Sequence, residues 1–413
     1  MNLSLVFRYA LRSLGRHRRR TALSILGIGI GCGLCVFVIG FVRGEEGMMI
    51  RAAANSGIGH LRVVPDEWAA TRDDDLRLDN WRKIQQTAKS HQAVELAAPR
   101  AHGDALLGFG VRTTGVEMTG VDPELEIQAN RLVQKNIRGR YLEEEDEGVV
   151  VIGRTVAERL DAELEDELMV TIAGKDGAMQ GAMLQIVGIL STGSRDLDAS
   201  ICHITLHAFT EISQIPGAGE LTVLVNDIDK ISQIAAELKT RLPAGTTIMT
   251  WEELMPELAS GIEIDKTWSR LVVIIITLVV FLGIASAQLA AVLERRKEFA
   301  VMAAVGMQNM RLLGTMLIEG SLLGLTGGIM GLALGAPVTC YTARSGIDFS
   351  SLYGNMDLTM SNVLIDPVFY PDFGWWVIPL ALGLAFLAAM FSAVYPAWYA
   401  MRTDPAEALR VEQ

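Results

Sequence analysis

Four long apolar runs divide this chain, and each is long enough to cross a membrane as a helix. The first runs from Thr21 to Val42 without a charged residue. Its length corresponds to about 33 Å of helix at 1.5 Å per residue, which is enough to span the hydrocarbon core of a bilayer. The pattern therefore predicts an α-helical membrane protein with four spans, at residues 21–43, 271–293, 312–341 and 375–399.

The residues before the first span show a different, two-sided pattern. Apolar positions from Leu3 to Leu14 recur at i, i+3 and i+4, opposite Arg8, Arg12 and Arg16. This spacing predicts an amphipathic helix on a membrane surface within residues 1–20. A cleaved signal peptide is the alternative, but the apolar run is long and no A-x-A motif follows it, which favours an uncleaved span.

Basic residues lie at one end of each span. Six arginines precede the first span, four basic residues lie between the second and third, and two arginines follow the fourth. Cytoplasmic loops carry the excess of Lys and Arg. We therefore predict that both termini, segment 294–311 and tail 400–413 are cytoplasmic, and that block 44–270 and loop 342–374 are external.

The external block differs from the rest of the chain in charge. Half of all residues are hydrophobic, yet residues 44–270 carry 22 Lys and Arg against 38 Asp and Glu, a net charge of −16. Such an acidic domain disfavours nucleic acid as a partner. Because Cys202 is its only cysteine, the block must be held by a packed core and not by a disulfide within it.

Strand and helix patterns alternate at both ends of the block. A strand pattern at Gly59 to Val64 precedes a helical one at Asp79 to Ser90, with Asp79 as a candidate cap, and Leu221 to Val225 precedes Ile231 to Leu242 in the same order. The middle predicts strands at residues 149–152, 168–172 and 183–190. We predict one domain from residues 44–111 and 214–270, with a mostly β domain inserted at 112–213.

Glycines recur at four-residue spacing in the first and third spans. Small residues at this spacing let helix backbones approach closely. We predict helix packing through these glycines, within or between subunits. They are Gly27, Gly29, Gly31 and Gly33 in the first span, and Gly320, Gly324, Gly327, Gly328, Gly331 and Gly335 in the third.

Catalytic and metal-binding motifs find little support. There is no H-E-x-x-H, no G-x-S-x-G and no Walker A sequence, so we predict that the chain is not an enzyme and holds no cofactor or metal itself. His203 and His207 could share a metal if both lay on one helix, but their surroundings are typical of a strand running into a helix. Cys32 and Cys35 lie inside an apolar span, where we expect them to pack.

Three stretches carry a family resemblance. They are residues 294–306, Glu319 with the glycines that follow it, and YPAWYAMRTDPAEALR at 395–410, which is similar to a terminal P-A-x-x-A-x-x-x-x-P-x-x-A-L-R pattern. With one span, a large external domain and three further spans, the chain resembles permeases of the MacB/FtsX superfamily, the membrane subunits of mechanotransmitting ABC transporters. The resemblance implies a Porter-like external domain, 44–111 and 214–270, and a Sabre-like insertion, 112–213.

The external block is most similar to the lipoprotein-releasing (LolC/LolE-like) branch, in residues 148–172 and 188–212. In that branch a long, proline-containing hairpin hooks a periplasmic carrier, whereas Ala173 to Ala182 is short and lacks proline, so we expect no such hook. The resemblance implies lipoprotein release from the bacterial inner membrane. Export of a peptide, drug or lipid is the alternative, and regulation of a cell-wall hydrolase, as in an FtsX-like protein, is an alternative of another class.

The resemblance also implies partners. A cytoplasmic ABC ATPase dimer would bind ATP and Mg, and a second permease copy or paralogue would complete the transporter in the lipid bilayer. A short helix that is charged first and apolar afterwards, as at 294–311, suits a groove in a partner protein, although it could instead lie on lipid headgroups. The implied ATPase-docking residues are Glu294, Arg295, Arg296, Glu298, Phe299, Met302, Val305 and Gly306.

Two further features complete the predicted site. Glu319 is an acid within a span, which is costly and often functional, although hydrogen bonding to a neighbouring span is an alternative. The C-terminal motif either contacts the same partner or simply ends the fourth helix. Its residues are Pro396, Ala397, Pro405, Ala408, Leu409 and Arg410.

Overall fold

The computed structural model describes residues 18–134, 137–294, 301, 309–353, 358–360, 363–365 and 367–401. Long helices lie at the apolar runs, and short helices connect strands in the external block. The helices are α1 (Arg18–Asn55), α2 (Trp68–Thr71), α3 (Trp81–Lys89), α4 (Pro123–Ala129), α5 (Arg154–Leu160), α6 (Arg195–Asp198), α7 (Leu206–Ser213), α8 (Ile231–Arg241), α9 (Trp251–Leu254), α10 (Pro256–Glu294), α11 (Asn309–Ser345), α12 (Ser350–Tyr353), α13 (Val377–Ser392) and α14 (Val394–Met401).

Ten of the strands form one sheet in the external block, and the other four form two small pairs. The strands are β1 (Leu61–Pro65), β2 (Val94–Phe109), β3 (Arg112–Val121), β4 (Ile137–Gly139), β5 (Val149–Gly153), β6 (Glu167–Ala173), β7 (Met179–Leu190), β8 (Cys202–Thr205), β9 (Glu220–Val225), β10 (Thr246–Thr250), β11 (Ile347–Asp348), β12 (Leu358–Met360), β13 (Val363–Ile365) and β14 (Val368–Phe369).

Four helices within the described residues are long and apolar enough to cross a membrane, which confirms the predicted number. These segments are Thr21–Asn55, Pro256–Glu294, Gly314–Ser345 and Val377–Pro396. α1 and α10 extend well beyond the apolar runs, to 38 and 39 residues. The fourth predicted span is divided near Ala393 into α13 and α14.

Contacts divide the chain into two units. The membrane unit contains the described residues up to Glu45, residues 262–348 and those from Val368 onwards, and the external unit contains residues 46–261 with the described residues of 349–367.

Six strands of the external unit form a closed ring. β2 pairs with β3 on one side and, over Ala105–Gly108, with β6 on the other. β6 continues to β7, β7 to β5, β5 to β8, and β8 returns to β3. Closure removes free strand edges from this part of the sheet.

The ring is filled by alternating side chains. Leu107, Met118, Leu168 and Ile204 are fully buried in one apolar cluster, and Phe209 of α7 packs among them. Successive residues of a strand point to opposite faces, so the neighbouring positions point outward. The β-branched runs that predicted β5, β6 and β7 therefore supply the wall and core of this ring.

Strand β2 belongs to two parts of the external unit. Its first half pairs with β9 from Val94 to Arg100, and β9 continues to β1 and β10. Its second half lies in the ring. The predicted order of β9 and α8 is confirmed, but the capping prediction is wrong, because α3 begins after Asn80, which has a left-handed φ of 52°, and not after Asp79.

Candidate functional site

The first and third spans approach each other through glycines. A Cβ added at Gly335 would lie 2.7 Å from the Cα of Gly33, closer than real Cβ contacts, and one at Gly29 would lie 2.7 Å from Met330 Cγ. Only hydrogen at these positions allows α1 and α11 to come this near. The small-residue spacing in the sequence thus marks a close helix contact.

A second glycine face on α11 meets α13. Cβ atoms at Gly320, Gly324 and Gly328 would lie 2.9, 2.6 and 3.0 Å from the Cβ atoms of Ala393, Ala389 and Ala385, respectively. Those alanines are buried. Small residues thus face small residues at these three positions of the contact.

Gly27 and Gly31, which were also predicted to pack in the first span, differ in their surroundings. Gly31 faces the side chain of Val280 on α10, whereas no described atom lies within 4 Å of a Cβ at Gly27. The packing within or between subunits predicted for Gly27 therefore stays a prediction. The face turned toward α11 is the one that carries Gly29 and Gly33, because residues four apart share one side of a helix.

Polar side chains lie near the α11–α13 contact. Glu319 is half-buried on α11, directly before Gly320. Gln288 of α10 is buried, its Nε2 would lie 3.0 Å from a Cβ at Gly320, and this nitrogen has no hydrogen-bond partner among the described residues. Sequence reasoning selected Glu319 as the intramembrane polar residue and missed Gln288.

Most of the predicted docking residues lie outside the described residues. Glu294 is the last residue of α10, and Pro396 is buried in α14, which also contains Ala397. The other predicted residues of the docking segment and of the C-terminal motif lie outside the described part of the chain and remain predictions: Arg295, Arg296, Glu298, Phe299, Met302, Val305, Gly306, Pro405, Ala408, Leu409 and Arg410.

The first and fourth spans are joined at their predicted external ends by a polar contact. Trp376 Nε1 donates a 3.0 Å hydrogen bond to Asp372, and Asp372 Oδ2 lies 3.7 Å from Arg43 Nε. The Arg43 guanidinium also stacks 4.5 Å from the centre of the Trp376 ring. Trp at a membrane boundary was the sequence signal that could have revealed this contact.

A buried ion pair crosses the external unit. Arg100 of β2 donates to both carboxylate oxygens of Glu126 on α4, at 2.8 and 2.7 Å, and also to the carbonyl oxygen of Gly57. Asn130 donates to the same carboxylate at 2.9 Å. Both charged side chains are almost fully buried, and this bidentate geometry offsets part of the desolvation cost.

A second charged group lies beside this pair. His102 is 2.8 Å from Glu117 and 3.2 Å from Glu220, and Arg62 is 2.9 Å from Glu220. Burial favours the neutral ring, but attraction to Glu220 and Glu117 outweighs it and raises the pKa of His102 to about 9. His102 is therefore an imidazolium ion at neutral pH. Burial opposes the charge of Glu220 too, yet Arg62 and His102 lower its pKa to about 2.

The two histidines considered for metal binding do not act together. His203 lies on β8, and its Nδ1 is 2.9 Å from the Tyr141 hydroxyl. His207 lies on α7 with most of its side chain exposed. Burial lowers the pKa of His203 to about 4, so it is neutral. In the described part of the chain, no group of three His, Cys, Asp or Glu side chains could hold a metal ion.

The architecture defines a membrane protein with four apolar helices and a large mixed α/β domain between the first two. A family model, the MacB-like periplasmic core domain, matches residues 21–241, and a second, the FtsX-like permease C-terminal, matches residues 270–405. This chain belongs to the MacB/FtsX family of ABC transporter permeases.

Relatives with known names match nearly the whole chain. The lipoprotein-releasing system transmembrane protein LolC of Xylella fastidiosa is 24% identical over 405 residues, covering 94% of this chain and 93% of that protein. The macrolide export ATP-binding/permease protein MacB of Hyphomonas neptunium is 25% identical over 422 residues, covering 98% of this chain and 60% of that protein.

A solved structure is similar to part of the chain. The periplasmic region of MacB from Actinobacillus actinomycetemcomitans is 14% identical, covers 51% of this chain and 95% of that chain, and gives a TM-score of 0.36.

Proposed function

We propose that this chain is the permease subunit of an ABC transporter that releases lipoproteins from the inner membrane. The observation that carries the proposal is the likeness to the LolC protein, which covers 93% of that protein's length and so includes the external block as well as the spans. The chain itself would not hydrolyse ATP. A separate cytoplasmic ATPase would bind ATP and Mg.

The long helices support a mechanical role. α1 and α10 are continuous over 38 and 39 residues, or nearly 60 Å each at 1.5 Å per residue. The hydrocarbon core is only about 30 Å thick, so each helix continues beyond it. Helices of this length can carry a displacement from the cytoplasmic side to the external unit without an intervening loop.

Docking of the ATPase is proposed at the cytoplasmic segment between α10 and α11. Its charged start and apolar continuation suit a helix that inserts into a groove. We expect that Phe299→Asp and Gly306→Trp each abolish co-purification of the ATPase while membrane insertion is retained. Phe299→Leu is the matched control and should keep the ATPase bound. Normal recovery of the complex from both disruptive variants would remove the docking proposal.

The cargo is tested with the purified complex in nanodiscs. Addition of a lipoprotein with its acyl chains should raise the rate of ATP hydrolysis, and ATP should release bound lipoprotein from the membrane. The same protein without acyl chains is the control and should have no effect. If lipoprotein neither binds nor changes the ATPase rate, the cargo proposal is wrong.

A second candidate function rests on the MacB relative, which covers 98% of this chain. In that case a peptide, drug or lipid would raise the ATPase rate and lipoprotein would not. Regulation of a cell-wall hydrolase instead predicts binding of a coiled-coil hydrolase to residues 44–270 with no transport of any of these compounds.

A further inference from the structure

Part of the outer wall of the six-strand ring is apolar and uncovered. Successive strands β2, β6 and β7 place large apolar side chains on this outer surface, where a ring with a filled interior has no structural need for them. We call this surface the methionine face. It consists of Leu106, Met169, Met179 and Met183, which are 45%, 49%, 66% and 52% exposed.

The register places these side chains next to one another. Met169 lies opposite Met183, Leu106 lies opposite Thr171, and Thr171 lies opposite Gly181. Small residues separate the large ones, because Gly115 lies opposite Leu106 and Gly108 opposite Met169. Glycines therefore lie between the large apolar side chains of this face. Methionine side chains adapt readily to the shape of a partner.

Another part of the same outer wall is covered by the chain itself. Val121 of β3 and Val151 of β5 pack in a buried cluster with Val133 and Leu142 from the segment that follows α4. Apolar side chains on the outside of this ring are thus covered by another segment of the chain at Val121 and Val151, and they are left exposed at the methionine face. The described chain supplies no segment for the methionine face.

Charge identifies the kind of partner that fits. Asp104 and Glu117 lie directly opposite each other beside Leu106, and Glu167 lies on the outer side of β6 beyond Met169. Like charges opposite each other are unfavourable. Glu117 pairs with His102, but Asp104 makes no ion pair within the described residues. His102 and Arg112, the bases near this face in β2 and β3, are already paired with Glu117 and Asp161, and Lys175 lies in the β6–β7 turn.

We propose that the methionine face binds a polypeptide segment that carries an apolar strip flanked by Lys or Arg. A second copy of the external block fits poorly, because each block has a net charge of −16 and two such blocks repel. An anionic lipid surface is repelled for the same reason. The closed ring offers no free strand edge, so the segment binds through side chains, as an amphipathic helix does in a groove.

The experiment uses the full-length chain in phosphatidylcholine nanodiscs and two synthetic amphipathic peptides. The peptides share their apolar residues and differ only in flanking lysines or flanking glutamates. Fluorescence anisotropy should show the lysine peptide binding at least ten times more tightly than the glutamate peptide. Equal binding of both peptides, or equal binding of the lysine peptide to empty nanodiscs, would overturn the proposal.

Variants locate the binding surface. Met169→Ser combined with Met183→Ser should weaken binding of the lysine peptide at least tenfold. Asp104→Lys should weaken it several-fold and strengthen binding of the glutamate peptide. Val111→Ser is the matched control, because Val111 is fully exposed at the tip of the β2–β3 hairpin and lies off the face; it should bind normally. Unchanged binding in the double variant and in Asp104→Lys would overturn the proposal.

Two further outcomes complete the test. If Met183→Cys cross-links two copies of the chain at high yield without added peptide, the occupant is a second copy and the proposal is wrong. If the double methionine variant does not fold, Asp104→Lys alone decides, since it removes no apolar contact. Its two opposite effects on the two peptides cannot arise from misfolding.

Discussion

The membrane unit carries large apolar side chains on its surface, whereas the six-strand ring of the external unit is filled with them. In α10, Ile274, Leu278 and Val279 are more than half exposed, as expected where lipid is the solvent. In the external ring, Leu107 and Met118 are fully buried. Apolar side chains are stable at a surface that contacts lipid, whereas contact with water favours their burial in the interior.

The interior contacts of the two units differ accordingly. Backbone approach through glycines joins α1 to α11, and glycine against alanine joins α11 to α13. The external unit instead combines an apolar core with the Arg100–Glu126 pair and the group around His102. Helix contacts in the membrane unit therefore depend on positions without side-chain atoms. Contacts in the external unit depend on side chains that complement one another in shape and charge.

The largest effect is expected where α1 and α11 are closest. Gly335→Leu adds a side chain where even a Cβ would lie 2.7 Å from the Cα of Gly33. The helices must then separate along their length. We expect most of the protein to be lost from the monodisperse peak in size-exclusion chromatography in mild detergent.

Gly27→Leu is the matched control for this contact. No described atom lies within 4 Å of a Cβ at Gly27, so this variant should elute as the unmodified protein does. If Gly335→Leu elutes normally as well, the glycine contact does not hold the membrane unit together.

The next effect concerns the buried ion pair of the external unit. Arg100→Met leaves the Glu126 carboxylate buried without its guanidinium, which typically costs about 3–5 kcal/mol. We expect this loss of stability to lower the urea midpoint for unfolding of the external unit, measured by tryptophan fluorescence. Arg100→Met combined with Glu126→Leu should recover most of the loss, because no charge is then left unpaired. A single variant as stable as the parent would show that the pair contributes nothing.

A smaller effect follows from the raised pKa of His102, about 9 against an ordinary value of 6.5. The protonated ring is favoured in the folded state, so its contribution is complete below pH 6.5 and is lost as the pH rises through 9. We expect the free energy of unfolding to fall by on the order of 2 kcal/mol between pH 6.5 and 9.5.

His102→Gln should remove this alkaline decline, as measured by urea titration at each pH. A decline in stability at acid pH is expected from the buried neutral rings of His203 and His60, because burial lowers the pKa values of both to about 4. Their contribution is lost as the pH falls from 6.5 through 4, and this acid decline should still be present in His102→Gln. A wild-type protein equally stable at pH 6.5 and 9.5 would contradict the role of His102.

The sequence was sufficient to locate the helices and strands that have a clear hydrophobic pattern. Length and the absence of charge located the four apolar helices, and β-branched runs located β5, β6 and β7. Alternation along a strand, however, says which residues share a face and not which strands pair. Closure of the ring depends on pairing between β2 and β6, more than sixty residues apart, and no local signal encodes it.

The candidate site was predictable only where it depends on residue size. Four-residue glycine spacing predicted the glycine faces of α11, but it marked two faces on α1, and only the structure shows that Gly29 and Gly33 meet α11 while Gly31 meets α10. Choosing between them requires the orientation of the helix. Arg100, Glu126 and Glu220 come from three separate elements, so their buried network was not visible in the sequence.

The smallest expected effect sharpens the contrast between the units. Met169→Ser with Met183→Ser removes apolar side chains that are about half exposed, and such surface changes usually alter stability by less than about 0.5 kcal/mol each. The urea midpoint of the external unit should therefore hardly change. Met118→Ser, at a fully buried position of the same ring, is the comparison and should lower the midpoint strongly, because it removes core packing and buries a hydroxyl. A large loss in the double surface variant would mean that the methionine face is part of the core, and its exposure would then have no bearing on a partner.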